Sequence, residues 1–147
     1  MVFHRTLFLF CLIILASGCT AITIRPVDTQ LQIKQVCIKD CQKECFDEHM
    51  VDTIRDGFKR HGITTTVNSD ESDSQCEYHL SYYCERTWDM AMYMNHAELR
   101  LYQGEAQIGY AEYHLRGKGG FSLMKFKSTK EKIDPVIDQL LSGYTLR

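Results

Sequence analysis

The sequence predicts an α+β domain, a two-layer sandwich in which a mostly antiparallel sheet carries two helices on one face. Two stretches place apolar residues at helical spacing: Phe46, Met50, Ile54 and Phe58, and then Ile133, Val136, Ile137, Leu140 and Leu141. Between them lies a run of segments that alternate apolar and polar residues, around 78–85, 92–102 and 106–115. These strands are apolar on one side only, so a single layer of helices is enough to cover them.

Each element has its own signal. Leu31 to Gln35 alternates and Val36-Cys37-Ile38 is apolar, as in a strand that enters the sheet interior. Lys39 to Cys45 is polar and cysteine-rich and reads as a loop. In the first helix Asp47 and Glu48 lie at the positive end and Lys59, Arg60 and His61 at the negative end, with Gly62 as the stop. Ile63-Thr64-Thr65-Thr66-Val67 is β-branched and reads as a strand, followed by an acidic loop over 68–74. Tyr78, Leu80, Tyr82 and Cys84 form one side of the next strand, and Arg86 to Asp89 break its pattern and predict a corner.

In the following strand the parity shifts between Met94 and Ala97, which predicts a bulge near Asn95. Gln103-Gly104 reads as a hairpin turn, and a second parity shift predicts a bulge at Gly109. Phe121 to Phe126 fits either a short strand or a packed loop. Ser128-Thr129-Lys130-Glu131 is a capping box for the second helix, ended by Gly143. Pro135 implies either a kink or a start at Asp134.

The front of the chain carries an address. Arg5 precedes the unbroken apolar run Leu7–Leu15, which is too short to span a bilayer, and Ala16, Ser17 and Gly18 follow. This is the pattern of a secretory signal peptide over residues 1–18. Leu15-Ala16-Ser17-Gly18-Cys19 resembles the lipobox of bacterial lipoproteins, which implies cleavage between Gly18 and Cys19 and a diacylglyceryl group on Cys19, with palmitoyl-type chains as the anchor. Thr20 is not the aspartate that retains enterobacterial lipoproteins at the inner membrane. By that resemblance the expected address is the periplasmic side of the outer membrane, the inner membrane being the alternative. Residues 19–30 are then a lipidated start and short tether with a possible edge strand at Ile22-Thr23-Ile24, and 31–147 a single α+β domain.

Losing Arg5 leaves 16 basic against 19 acidic side chains. No basic patch stands out, which argues against nucleic acid. After Cys11 in the signal and the lipidated Cys19, five cysteines remain: Cys37, Cys41, Cys45, Cys76 and Cys84. An oxidising periplasm makes disulfides the expectation, and an odd number leaves at least one thiol outside them. Cys37–Cys76 is the favoured bridge, because both residues lie at ends of candidate core strands.

The spacing of Cys37, Cys41, Cys45 and His49 also suits a zinc stripe on one continuous helix. Cys37 ends a strand, however, so no metal site is expected there. His79, His96 and His114 lie on expected strands and could meet at a metal only if their strands were register neighbours; surface roles are the expectation. Gly117-Lys118-Gly119-Gly120 lacks the spacing of a phosphate loop. Trp88-Asp89 reads as a packing anchor with a turn carboxylate. No catalytic set is placed, and no cofactor is expected beyond the lipid on Cys19.

Arg86-Thr87-Trp88-Asp89-Met90-Ala91-Met92-Tyr93, Ala97-Glu98-Leu99-Arg100-Leu101, Ala111-Glu112-Tyr113-His114-Leu115-Arg116-Gly117-Lys118-Gly119-Gly120 and Lys132-Ile133-Asp134-Pro135 resemble a family of small proteobacterial lipoproteins with no assigned activity. The resemblance implies lipid anchoring and one α+β domain, and supplies no catalytic residues. More distantly, the layout looks like small α/β lipoproteins that partner outer-membrane assembly machines. The expected function is therefore non-enzymatic: a membrane-anchored lipoprotein binding a partner protein or envelope component, with Trp88, Asp89, Tyr93 and Lys118 as candidate contacts. The alternative is a metal- or ligand-binding protein that uses the Cys/His-rich segment.

Overall fold

A computed structural model describes residues 20–39, 45–68, 76–116 and 123–144. Six strands form one sheet in the order β1-β6-β5-β4-β2-β3: β1 (Thr20–Arg25), β2 (Gln35–Lys39), β3 (Thr64–Asn68), β4 (Tyr78–Asp89), β5 (Ala91–Gln103) and β6 (Ala106–Leu115). The pairs β1–β6, β6–β5 and β5–β4 are antiparallel, while β2 pairs parallel with both β4 and β3. Helices α1 (Met50–Arg60) and α2 (Thr129–Leu140) complete the α+β sandwich.

The parallel pair β2–β3 needs a crossover, and α1 supplies it. The helix starts at Met50, so Phe46 precedes it and is 82% exposed, against the expectation that it opens the apolar stripe. Met50, Ile54 and Phe58 are fully buried, as are Ile133, Ile137 and Leu140 of α2, and they join Leu80, Leu99, Leu101 and Tyr113 of the sheet in one core. The helices touch at Gly57, where a Cβ would stand 2.7 Å from a side-chain carbon of Ile137. Gly62 has φ 74°, the left-handed conformation that closes α1.

The Ser128–Glu131 capping box forms in full, and α2 continues through Pro135 to Leu140. Arg60 of α1 reaches Asp134 at 3.1 Å and Asp138 at 3.0 Å, and buried His61 lies 3.0 Å from Asp138 and 2.9 Å from the Tyr144 carbonyl. Asp47 holds the other ends of the helices together: its carboxylate accepts from the His49 N–H at 3.0 Å and from the Thr129 hydroxyl at 2.7 Å.

The stretch expected as a tether with an edge strand at Ile22-Thr23-Ile24 is, over the described residues 20–30, largely bound to the domain, and the strand is longer than expected. Thr20–Arg25 pairs with β6 over its whole length, from Thr20 opposite Leu115 to Arg25 opposite Tyr110. Val27 then donates to the Leu140 carbonyl at 2.9 Å, and the Tyr144 hydroxyl donates to that of Asp28 at 3.1 Å. Among the described residues the sheet therefore begins at Thr20 rather than at residue 31.

Two disulfides join the loops to the sheet. Cys37–Cys76, the favoured bridge, has its Cα atoms 6.1 Å apart, and Cys45–Cys84 has them 4.6 Å apart. Cys37 and Cys45 are thus unavailable as thiolates, and the four-residue zinc stripe does not form. Cys41 lies outside the described residues, as do Cys19, Lys118 and the signal segment.

Candidate functional site

The corner expected at Arg86–Asp89 is instead the end of a long strand. β4 runs to Asp89 and β5 restarts at Ala91, with Met90 alone at the turn in the left-handed region, φ 62°. Strand pairing survives the parity shift because Asn95 is a bulge: Glu85 faces His96 and Arg86 faces Met94, leaving Asn95 unpaired. Beyond the row that ends at His114 on β6, the hairpin continues for four more pairs, to Asp89–Ala91. At about 3.3 Å per residue it projects roughly 13 Å past the body of the sheet.

The tip of the projection is apolar and in solvent, while Tyr93 and Met94 at its root are buried. Trp88 is 70% exposed and Met90 86%, so Trp88 is no packing anchor. Phe46, Met92, Leu123 and Phe126 are also exposed, and each belongs to a segment gathered at this end of the sheet: the lead-in to α1, the hairpin, or the 3-10 turn Leu123–Phe126 before α2. Among the described residues the other exposed large apolar side chains, Ile22 and Val67, lie on the two edge strands. A groove of about 570 Å³ runs between these segments, lined in part by Phe46, Met92, Phe126 and Lys132.

Beneath this surface the packing is polar and fixed. Tyr93 is buried, with the Lys125 and Lys132 ammonium groups 5.5 and 5.8 Å from its ring centroid, within cation–π range. Lys132 donates to the carbonyls of Met94 and Lys125, each at 3.2 Å, so one α2 side chain ties β5 to the 3-10 turn. Burial, then the nearby Arg86, lowers its pKa from the ordinary lysine value. Asp89 pairs with Lys125, and Arg86 donates to the Phe46 carbonyl at 3.3 Å. Of the sequence-predicted contacts, Trp88 and Asp89 sit at the hairpin tip and Tyr93 anchors its root. The sequence reading missed Phe46, Leu123 and Phe126 as surface residues and Lys125 and Lys132 as buried ones. Lys132 did carry a signal, since it adjoins Ile133 on the apolar side of α2.

The sheet face away from the helices has a different character. On β5 it presents His96, Glu98, Arg100 and Tyr102, and on β6 Tyr110, Glu112 and His114. Register places His96 opposite His114 and Glu98 opposite Glu112. His79 is not part of this group; it stacks on Tyr102 with ring centroids 5.0 Å apart, near the other end of the strands.

No helix among the described residues is long and apolar enough to cross a membrane. No family model matches the chain, and no curated protein matches it. Among solved structures the fold is similar to the PelC dodecamer from Paraburkholderia phytofirmans, with TM-score 0.58 and 11% identity over 87% of this chain and 99% of that one. A single-residue variant of that PelC dodecamer aligns with TM-score 0.57 and 11% identity over 85% and 98% of the two chains. At this identity the likeness concerns the fold alone.

Proposed function

We propose that this chain is a non-enzymatic lipoprotein, held by a diacylglyceryl cysteine at Cys19 on the periplasmic side of the outer membrane, whose projecting hairpin end docks on a protein partner beside the anchor. One observation carries the reading. Thr20, the residue after Cys19, pairs with Leu115, and β1 therefore starts at the same end of the sheet from which the hairpin projects. The position expected to carry lipid and the exposed Trp88, Met90, Met92, Phe46 and Phe126 thus share one end of the molecule. With no long tether between Cys19 and the sheet, an anchored domain holds this end at the bilayer surface, where a partner or the membrane itself would meet it.

A second reading has its own support. The structural neighbours are dodecamers, so the partner of this surface would be further copies of the same chain. Both readings are tested by intact mass and membrane fractionation, followed by crosslinking in the producing cells. The proposal expects a diacylglyceryl adduct on Cys19, the protein in outer-membrane fractions, and one dominant heterologous protein captured. A ladder of self-adducts supports the second reading and overturns the first. An unmodified Cys19 overturns the anchor in both.

A further inference from the structure

We propose that the open face of the sheet holds a divalent transition-metal ion between His96, Glu112 and His114. These residues stand on adjacent antiparallel strands, on the last three-stranded row before the hairpin projects and outside the Cys/His-rich segment. One ligand atom from each lies within 4.8 Å of the other two, the spread of atoms around a shared ion. The strand geometry explains the convergence: Glu112 and His114 are two apart on β6 and so point to one face, and His96 is the direct register partner of His114.

Two features indicate that the cluster is incomplete without a cation. His96 Nε2 is buried and makes no hydrogen bond, although carboxylate oxygens of Glu98 and Glu112 lie 3.3 and 3.4 Å away. These are ion-pair distances, and an imidazole nitrogen facing two carboxylates in this way shares either a proton or a metal ion with them. Glu98 and Glu112 are also directly opposite each other across the strands, a like-charge pairing that costs stability in a bare sheet. Arg100 pairs directly with Glu98 and offsets that cost in part, which leaves Glu112 as the carboxylate ligand.

Two imidazoles and one carboxylate suit Zn(II), Cu(II), Ni(II) or Co(II) rather than the oxygen-rich shells of Ca(II) or Mg(II). His114 is exposed and His96 and Glu112 partly so, leaving the remaining coordination position open to solvent. An exposed mouth fits binding or sensing of metal as well as a bound external ligand.

The test is a Zn(II) titration of the chelator-stripped full chain against a competing chromophoric chelator, repeated with Co(II) for its spectrum. Wild type is expected to take up one Zn(II) per chain, and His114→Gln and His96→Ala to abolish that uptake. Zn(II) should raise the unfolding temperature of wild type and leave that of His114→Gln unmoved. Because His114 is exposed, metal-free His114→Gln should unfold with metal-free wild type, which keeps the reading independent of folding. Absence of stoichiometric uptake, or uptake unchanged in His114→Gln, overturns the proposal. So does a thiolate-to-cobalt charge-transfer band, which would put the ion on a cysteine outside the two bridges.

Discussion

Trp88 on β4 and Met92 on β5 stand opposite each other across the hairpin, and both side chains are in solvent. An exposed aromatic–methionine pair at a strand end adds little to the fold. Trp88→Ala with Met92→Ser should therefore change unfolding free energy by no more than about 1 kcal/mol in denaturant titration. The same double variant should lose capture of the partner. A large loss of stability would show instead that the pair is part of the packing.

Met90 separates conformation from contact at the same tip. Its φ of 62° costs a non-glycine residue about 1–2 kcal/mol, while its side chain is 86% exposed. Met90→Gly relieves that strain at an entropic cost of roughly 0.5–1 kcal/mol in the unfolded chain. Thermal unfolding should show stability unchanged or raised by up to about 1.5 kcal/mol. A marked drop would mean that Met90 is held by contacts its exposure denies.

Gly57 tests the helix–helix approach. Alanine is the better helix former by about 1 kcal/mol. Its Cβ, however, would fall 2.7 Å from a branch of buried Ile137. Overpacking of this kind costs about 1–3 kcal/mol, so Gly57→Ala should destabilise on balance. Pairing it with Ile137→Val should recover part of the loss in a double-mutant cycle.

The Cys37–Cys76 and Cys45–Cys84 bridges each close a loop with a sequence separation of 39. The chain-entropy relation assigns a loop of that size about 4 kcal/mol. The two loops overlap in sequence, so their contributions should not add. Replacing both cysteines of either pair with serine should lower stability by about 2–4 kcal/mol, and replacing all four by less than twice that. Peptide mapping of unreduced protein should recover these two pairs, with Cys41 in neither.

The cap of α2 sets an acid limit. Bonding from Lys127 and from the Ser128 N–H and hydroxyl lowers the Glu131 pKa from 4.5 to about 2. A carboxylate whose folded pKa is depressed contributes stability above its unfolded value and loses it as pH falls toward the folded one. The cap should therefore be intact above about pH 4.5 and fade between there and about pH 2. Amide exchange in the first turn of α2 should quicken over that window, and Glu131→Gln should flatten the dependence.

Local patterns were legible in the sequence, and pairings across the sheet were not. Gly62 and Ser128–Glu131 marked helix ends because caps are read within one turn. The bulge at Asn95 was visible as a parity shift, whereas the strand pairing on its far side was hidden by Arg86 and Asp89, whose exposure at a projecting tip breaks the alternation. Phe46 kept helical spacing by accident, one turn before the chain becomes helical. The Cys37–Cys76 bridge could be chosen from strand ends, but Cys45–Cys84 depends on the lead-in to α1 lying beside β4, where Arg86 also meets the Phe46 carbonyl. His96 and His114 were recognisable as strand residues, and only register made them neighbours.

The central claim is that the hairpin end is the docking surface. A photo-crosslinking residue placed at Trp88 or Met92, with Tyr102 on the open face as comparison, tests it in the membrane-bound protein. The account predicts one strong heterologous protein adduct from positions 88 and 92 and little from 102. Adducts from 102 with none from 88 or 92, or adducts to lipid alone, would contradict it.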